Sequence, residues 1–127
     1  MQDKKILVIE DNELNMKLVV ALLKIGHYEI LQAANAETGI RLAQTHRPAL
    51  ILMDLQLPGM DGLTATRIIK ADEALKGTTV VALTSYAMQG DKERAEEAGC
   101  DGYIPKPIDT RNFLTNIGQF MGSSEPN

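Results

Sequence analysis

The chain has 127 residues, enough for one domain with a single hydrophobic core. Its net charge of −4 argues against a general nucleic-acid binder or a protein that binds anionic membranes. No apolar run approaches the ~20 residues of a membrane span, no signal-peptide pattern precedes the first strand, and the single cysteine cannot form an internal disulfide. These features predict a cytoplasmic protein.

The first half of the chain alternates short apolar runs with helical patterns. Three strands are predicted from apolar runs that end at polar or turn residues: 6–9, 28–33 and 50–53. Three helices are predicted, each after a capping residue (Asn12, Asn35 or Asp61): 14–25, 36–45 and 62–71. The third apolar run stops at Asp54, which is therefore predicted to lie at the carboxyl end of a buried parallel strand.

The second half continues the same alternation. Strands are predicted over 78–84 and 101–104, and a helix is predicted between them over 88–98. Asp109 is predicted to cap a last helix that reaches Met121. Residues 122–127 have the composition of a flexible tail, so the predicted domain spans residues 1–121.

Five strands alternating with five helices predict an α/β protein with a parallel sheet covered on both faces, a flavodoxin-like (βα)5 three-layer sandwich. The runs over 6–9, 50–53 and 80–83 are the most apolar and are expected in the centre of the sheet. The resulting strand order is 2-1-3-4-5, with its topological switch point between the first and third strands. This order brings Glu10 and Asp11 beside Asp54.

Polar side chains gather at the carboxyl ends of these strands: Glu10, Asp11, Asp54, Thr84, Ser85 and Lys106. Neighbouring carboxylates repel each other unless a cation lies among them, and a site of oxygen ligands suits Mg²⁺. We expect Asp11 and Asp54 to bind Mg²⁺ directly and Glu10 to act mainly through water. The backbone carbonyl of Gln56 is expected to complete the protein ligands.

Lys106 is the cation available to hold an added anion at this acidic site. A metal-bound carboxylate beside a lysine stays ionised, which makes Asp54 a candidate nucleophile that forms an aspartyl-phosphate. Lys106 and the metal would offset charge on the transferring oxygens, and the Thr84 hydroxyl would bind the new phosphoryl group. Taken singly, each residue has an ordinary structural explanation. Their joint position on one rim of the sheet favours a site.

Four motifs at these spacings resemble one family. They are Val8–Asn12, Ile51–Gly62, Val81–Ser85 and Gly102–Pro107. Over residues 4–121 the sequence is similar to response-regulator receiver domains, the CheY-like family of two-component signalling. Within that family, residues 10–15 and 87–91 resemble DivK-type single-domain regulators and the receivers of hybrid kinases.

The resemblance implies that Asp54 accepts a phosphoryl group from a histidine kinase or a histidine phosphotransfer protein. It implies a signalling domain, not an enzyme, that assists its own phosphorylation and dephosphorylation. Thr84, Ser85 and Tyr103 would be the switch residues, which remodel a surface for a downstream protein target. In this family the Lys106–Pro107 bond is commonly cis.

The resemblance also points to residues that set the lifetime of the phosphate. Gln56 and Tyr86 occupy positions at which the family varies and tunes dephosphorylation. We expect the bulky Tyr86 side chain to shield the phosphate from water, so that replacing Tyr86 by alanine accelerates hydrolysis.

Partner binding is expected on the first helix, which carries more apolar residues than one buried stripe requires. We expect the surplus, together with Asn15, to dock the helical bundle that presents the donor histidine, which an Asn15→Ala, Val19→Ala double variant would test. No DNA-binding domain follows residue 121, so the output is expected to pass through protein contacts.

Other functions on this fold are less consistent with the motifs. A flavin or nucleotide carrier needs a glycine- or hydroxyl-rich loop after the first strand, where this chain has Glu10–Glu13. A phosphatase resembling haloacid dehalogenases would carry Asp-x-Asp after its first strand, and Asp54–Gln56 lacks the second acid. A receiver-like scaffold without phosphorylation usually loses the acid or lysine positions. A fragment of a hybrid histidine kinase that passes its phosphate on remains an alternative.

Overall fold

The computed structural model describes residues 4–84 and 89–122 of the chain. Its sheet has five parallel strands in the order β2-β1-β3-β4-β5. The strands are β1 (Lys5–Ile9), β2 (Glu29–Ala33), β3 (Leu50–Asp54), β4 (Thr79–Thr84) and β5 (Gly102–Pro105). The predicted flavodoxin-like class and strand order are therefore confirmed.

Helices connect the strands in the predicted alternation. They are α1 (Glu13–Ile25), α2 (Ala36–His46), α3 (Gly62–Ala71), α4 (Gln89–Ala98) and α5 (Phe113–Gly122). The three predicted caps are confirmed, because the side chains of Asn12, Asn35 and Asp61 accept hydrogen bonds from backbone N–H groups three residues later, at 2.8–3.0 Å. Residue 88, the predicted start of α4, lies outside the described residues.

The entry to α5 differs from the prediction. The helix begins at Phe113, and Asp109 belongs to a turn that precedes it. Its carboxylate accepts hydrogen bonds from the Arg111 backbone N–H at 3.1 Å and from the Asn112 side chain at 2.7 Å. Because the turn already satisfies Asp109, the helix forms only after it. A short 3₁₀ helix over Glu73–Leu75 was also not predicted.

The core consists of two apolar layers, one on each face of the sheet. Side chains alternate between the faces, so Ile6 and Val8 of β1 pack toward α1 and α5, whereas Leu7 and Ile9 pack toward α2 and α3. Every residue of β3 is buried, as expected for a central parallel strand. This rigid strand carries Asp54 at its carboxyl end.

The surface of α1 corrects one expectation. Val19 is fully buried, so it is not part of the apolar surplus proposed for partner binding. The exposed apolar side chains of this helix are Leu14, Leu18 and Ile25, which are 77%, 36% and 66% exposed. Their spacing places them along one side of the helix.

The amino ends of β4 and β5 are joined by a polar network. Lys70 of α3 donates to the Thr78 carbonyl at 2.9 Å and forms an ion pair with Asp101 at 2.7 Å. The same Asp101 oxygen accepts from the Val80 backbone N–H at 2.8 Å. This network lies at the edge of the sheet opposite Asp54.

In the part of the chain that the structure describes, none of the helices has the length and hydrophobicity needed to cross a lipid bilayer.

Candidate functional site

Three carboxylates meet at the carboxyl edge of the sheet. Parallel pairing of β1 with β3 aligns Ile9 with Met53, so the residues that follow, Glu10 and Asp54, become neighbours. One carboxylate oxygen from each of Glu10, Asp11 and Asp54 lies within 4.8 Å of the others. Glu10 and Asp54 are each only 2% exposed, whereas Asp11 is exposed. The predicted cluster of acids is therefore present in the fold.

The two oxygens of Asp54 have different partners. Oδ1 accepts a hydrogen bond from the Gln56 backbone N–H at 3.0 Å, an Asx-type turn that fixes the carboxylate. Oδ2 lies 3.3 Å from the Nζ atom of Lys106. The backbone after Asp54 is fixed as well, because the Leu55 N–H donates to the Leu83 carbonyl at 3.1 Å.

Glu10 is the most perturbed acid of the cluster. Its Oε2 accepts from the Asn12 backbone N–H at 3.1 Å. Its Oε1 forms an ion pair with Lys106 Nζ at 2.8 Å. Burial and the neighbouring Asp54 raise the pKa of Glu10 to about 7, against the lowering effect of Lys106.

Lys106 is held at the site by its own backbone and by the carboxylates. Its N–H donates to the Thr84 carbonyl at 2.6 Å, and its bond to Pro107 is cis, as the resemblance implied. Burial lowers the pKa of Lys106, but the contacts with Glu10 and Asp54 outweigh it and the pKa is raised overall. The ammonium therefore keeps its charge at neutral pH.

The donor set fits a hard divalent cation. Among the residues that the structure describes, Lys106 pairs with two of these three carboxylates, Glu10 and Asp54, which leaves an excess of negative charge in the cluster. Burial is the main cause of the raised pKa of Glu10, and the neighbouring Asp54 carboxylate adds to it. Oxygen ligands and retained waters are what Mg²⁺ prefers.

An open cleft of about 540 Å³ lies beside the acids. Its walls come from the ends of β1 and β2 and from the first turns of α1, including Glu13, Met16 and Lys17. Two acids of the cluster, Glu10 and Asp11, thus border an open cleft on the side of α1.

The remaining predicted residues occupy different surroundings. Thr84 is 3% exposed and ends β4, the neighbour of β3 in the sheet. Tyr103 is half-buried and lines a separate cavity of about 100 Å³ together with Ala95 and Cys100. Ser85 and Tyr86 lie outside the described residues.

Sequence reasoning did not anticipate two backbone donors and one ion pair. The N–H groups of Asn12 and Gln56 each bind the carboxylate two residues earlier, in Glu10 and Asp54. An acid followed by a tight turn is the only sequence signal for such a contact. The pairing of Lys106 with Glu10 has no sequence signal, because the path of the loop after β5 decides it.

Comparisons with known proteins show the family of the chain. The profile of the response regulator receiver domain matches residues 6–118. The polar-differentiation response regulator DivK of Brucella anthropi is 43% identical over 121 residues, which cover 95% of this chain and 98% of that protein.

Two solved structures of related domains are also similar. One is the receiver domain of sensor histidine kinase PA1611 from Pseudomonas aeruginosa PAO1, with a magnesium ion coordinated in its active site cleft. It has a TM-score of 0.87 and 34% identity, and the match covers 95% of this chain and 99% of that one. The other is the complex of Saccharomyces cerevisiae Ypd1, a histidine phosphotransfer protein, with the receiver domain of Ssk1. Its TM-score is 0.86 at 27% identity, over 93% of this chain and 88% of that one.

The match covers nearly the whole fold, and the acids and lysine of the motifs converge on one edge of the sheet. The chain belongs to the response regulator receiver domain family and acts in phosphorelay signalling.

Proposed function

We propose that Asp54 accepts a phosphoryl group from a phosphohistidine on a kinase or phosphotransfer protein, and that the phosphorylated chain binds a downstream protein target. The observation that carries this proposal is the asymmetry of the Asp54 carboxylate. The Gln56 N–H occupies Oδ1, whereas Oδ2 faces the ammonium of Lys106. A fixed carboxylate oxygen beside a cation is a suitable nucleophile for phosphorus.

In the proposed reaction, Asp54 Oδ2 attacks the phosphorus atom of the phosphohistidine. A new O–P bond forms while the P–N bond breaks, and its electron pair returns to the imidazole nitrogen of the donor, which can then take up a proton. Lys106 offsets the negative charge on the phosphoryl oxygens. Mg²⁺ held by Asp11, Asp54 and the Gln56 backbone carbonyl, with Glu10 acting mainly through water, would neutralise further charge on those oxygens. The chain belongs to a family of signalling domains. We propose in addition that the domain assists its own phosphorylation and dephosphorylation.

The switch is proposed at the residues next to the new phosphate. The Thr84 hydroxyl binds the phosphoryl group, and Ser85 and Tyr103 change conformation with it. Moving a two-state equilibrium from 1:99 to 99:1 takes about 5.5 kcal/mol of differential stabilisation. Gln56 and Tyr86 are proposed to set how long the phosphate persists.

Acetyl phosphate with Mg²⁺ tests the central proposal, with intact mass as the readout. We expect wild-type protein to gain the mass of one phosphoryl group. Asp54→Ala should remain unmodified, whereas Asp109→Asn, which removes an exposed acid outside the site, should react like the wild type. Absence of an adduct on the wild-type chain with every phosphoryl donor would contradict the proposal.

The phosphodonor is proposed to dock on the exposed apolar side of α1. Leu14, Leu18 and Ile25 lie along that side, and the open cleft beside the acids begins at the first turns of the same helix. The Ypd1 complex with the Ssk1 receiver domain offers a precedent for a phosphotransfer protein bound to a related domain.

A Leu14→Ala, Leu18→Ala variant tests this surface. We expect slower phosphotransfer from a cognate donor protein and an unchanged rate with acetyl phosphate, which needs no docking surface. Leu23→Ala is the matched control, because Leu23 is fully buried. Its loss should lower stability without slowing transfer from the protein donor more than transfer from acetyl phosphate. Equal rates with the protein donor for wild type and the double variant would remove α1 from the docking surface.

Two finer points complete the proposal. We place the chain in the cytoplasm, in keeping with a single free cysteine and an acidic composition.

The alternative of onward transfer to a second histidine is supported by similarity to a sensor-kinase receiver. Incubating phosphorylated chain with histidine phosphotransfer proteins separates these outcomes, because only a relay receiver loses its phosphate to them.

A further inference from the structure

We propose that Gly62 is a positioning residue for phosphoryl transfer to Asp54. Its lack of a side chain lets the first turn of α3 lie directly against the backbone of Asp54, and this contact fixes the loop that orients the reactive carboxylate. The inference rests on the proposed function of Asp54 and adds a second requirement to it.

The contact leaves no room for a side chain. A Cβ atom at Gly62 would lie 2.3 Å from the Asp54 carbonyl oxygen, 2.9 Å from Leu55 Cα and 3.1 Å from the Asp54 carbonyl carbon. These neighbours are backbone atoms, which cannot rotate away as a side chain can. Gly59 in the same loop has a left-handed backbone with φ of +73°, but the need for glycine at Gly62 comes from space alone.

The strand is unable to yield to such an added atom. Asp54 pairs with Leu83 of β4, and the Leu55 N–H donates to the Leu83 carbonyl at 3.1 Å. On its other side β3 pairs with β1. The first turn of α3 must therefore retreat and move the 55–61 loop with it. That loop includes Gln56, whose N–H holds Asp54 Oδ1.

Thr66 supports the same contact from inside α3. Its side chain is fully buried, and its hydroxyl donates to the Gly62 carbonyl at 2.8 Å. The Cys100 sulfur lies 3.8 Å from that hydroxyl oxygen. A bond from a threonine hydroxyl to the carbonyl four residues earlier changes the local path of a helix. Here it fixes the position of the residue that touches Asp54.

The test compares Gly62→Ala with wild type by the rate of phosphorylation from acetyl phosphate and by the rise in thermal midpoint on adding Mg²⁺. We expect the rate to fall at least about tenfold, since a misplacement of about 1 Å can lower a rate about 100-fold. The rise in midpoint caused by Mg²⁺ should also shrink. Gly26→Ala is the matched control, because its Cβ meets side chains of Tyr28 and Leu114 at 2.8 and 3.0 Å, far from the acids.

A second pair of variants covers the case in which Gly62→Ala does not fold. Thr66→Val removes the hydroxyl and should slow phosphorylation, whereas Thr66→Ser keeps it and should restore most of the rate. Wild-type rates and Mg²⁺ responses in Gly62→Ala, or equal rates in the two Thr66 variants, overturn the inference. So does a Gly26→Ala variant slowed as much as Gly62→Ala. An unreactive wild type would instead contradict the proposed function, and the Mg²⁺ response would still test Gly62.

Discussion

At the scale of single residues, the site depends on one ammonium shared between two buried carboxylates. Lys106 Nζ lies closer to Glu10 than to Asp54, at 2.8 and 3.3 Å. In the proposed reaction, an arriving phosphoryl group would compete with Glu10 for the charge of Lys106. We therefore expect Glu10 to affect the reaction even without a direct bond to the phosphate.

Lys106→Met removes this shared charge while keeping much of the side-chain volume. We expect the phosphorylation rate to fall sharply and the free energy of unfolding, measured with urea in metal-free buffer, to fall by about 3–5 kcal/mol because two buried acids lose their partner. Lys76→Met is the control, since its pair with Glu73 is exposed and worth less than about 1 kcal/mol. If the two variants lose similar amounts of free energy of unfolding, the ion pairs of Lys106 contribute no more than an exposed surface ion pair.

The raised pKa of Glu10 predicts a pH dependence of stability in metal-free buffer. Between its ordinary value of 4.5 and its value of about 7 in the folded protein, the folded state binds this proton more tightly than the unfolded chain does. The contribution of Glu10 to the free energy of unfolding is therefore fully present below pH 4.5 and is lost as the pH rises through about 7.

Glu10→Gln isolates that contribution. From about pH 5 to about pH 8, wild type should lose up to about 3 kcal/mol more free energy of unfolding than the variant does. Urea unfolding at the two pH values, with chelator present, measures the difference. Parallel pH profiles for the two proteins would show that Glu10 titrates normally.

At the scale of elements, the sequence predicts more of the sheet than of the loops. The buried strand β3 can be predicted from an apolar run that ends at Asp54, and the neighbouring strands β1 and β4 can be predicted from the same pattern. Helix starts are predictable where a capping side chain has one possible partner, as at Asn35, but Asp109 can serve a turn or a helix equally well. The contact of Gly62 with Asp54 has no local signal, because it depends on how α3 packs against β3.

The cap of α2 gives an element-level prediction. Asn35 accepts a hydrogen bond from the Thr38 N–H at 2.8 Å, so Asn35→Ala should lower the free energy of unfolding by about 1 kcal/mol. Asn35→Ser retains an acceptor and should keep most of the stability. Chemical unfolding gives both values, and an alanine variant as stable as the serine variant would mean that water replaces the cap.

At the scale of the whole molecule, a cation bound by the acidic cluster would link binding to global folding. A ligand that binds only the folded state adds about 2.7 kcal/mol to the free energy of unfolding at a concentration 100-fold above its Kd. We expect Mg²⁺ to raise the thermal midpoint of the wild type and to lose most of this effect in Asp11→Asn. Glu29→Gln, which changes an exposed acid at the amino end of β2, is the control. Equal Mg²⁺ responses in both variants would move the binding site away from Asp11.

The Lys70 network has a consequence for how the molecule moves. Lys70 and Asp101 join the starts of β4 and β5 at the edge remote from the acids. We expect any displacement of Thr84 to pivot about that fixed end and to grow along β4 toward its carboxyl end. Amide hydrogen exchange should accordingly be slowest at Val80 and faster toward Thr84, and Lys70→Met should flatten this gradient by releasing the pivot.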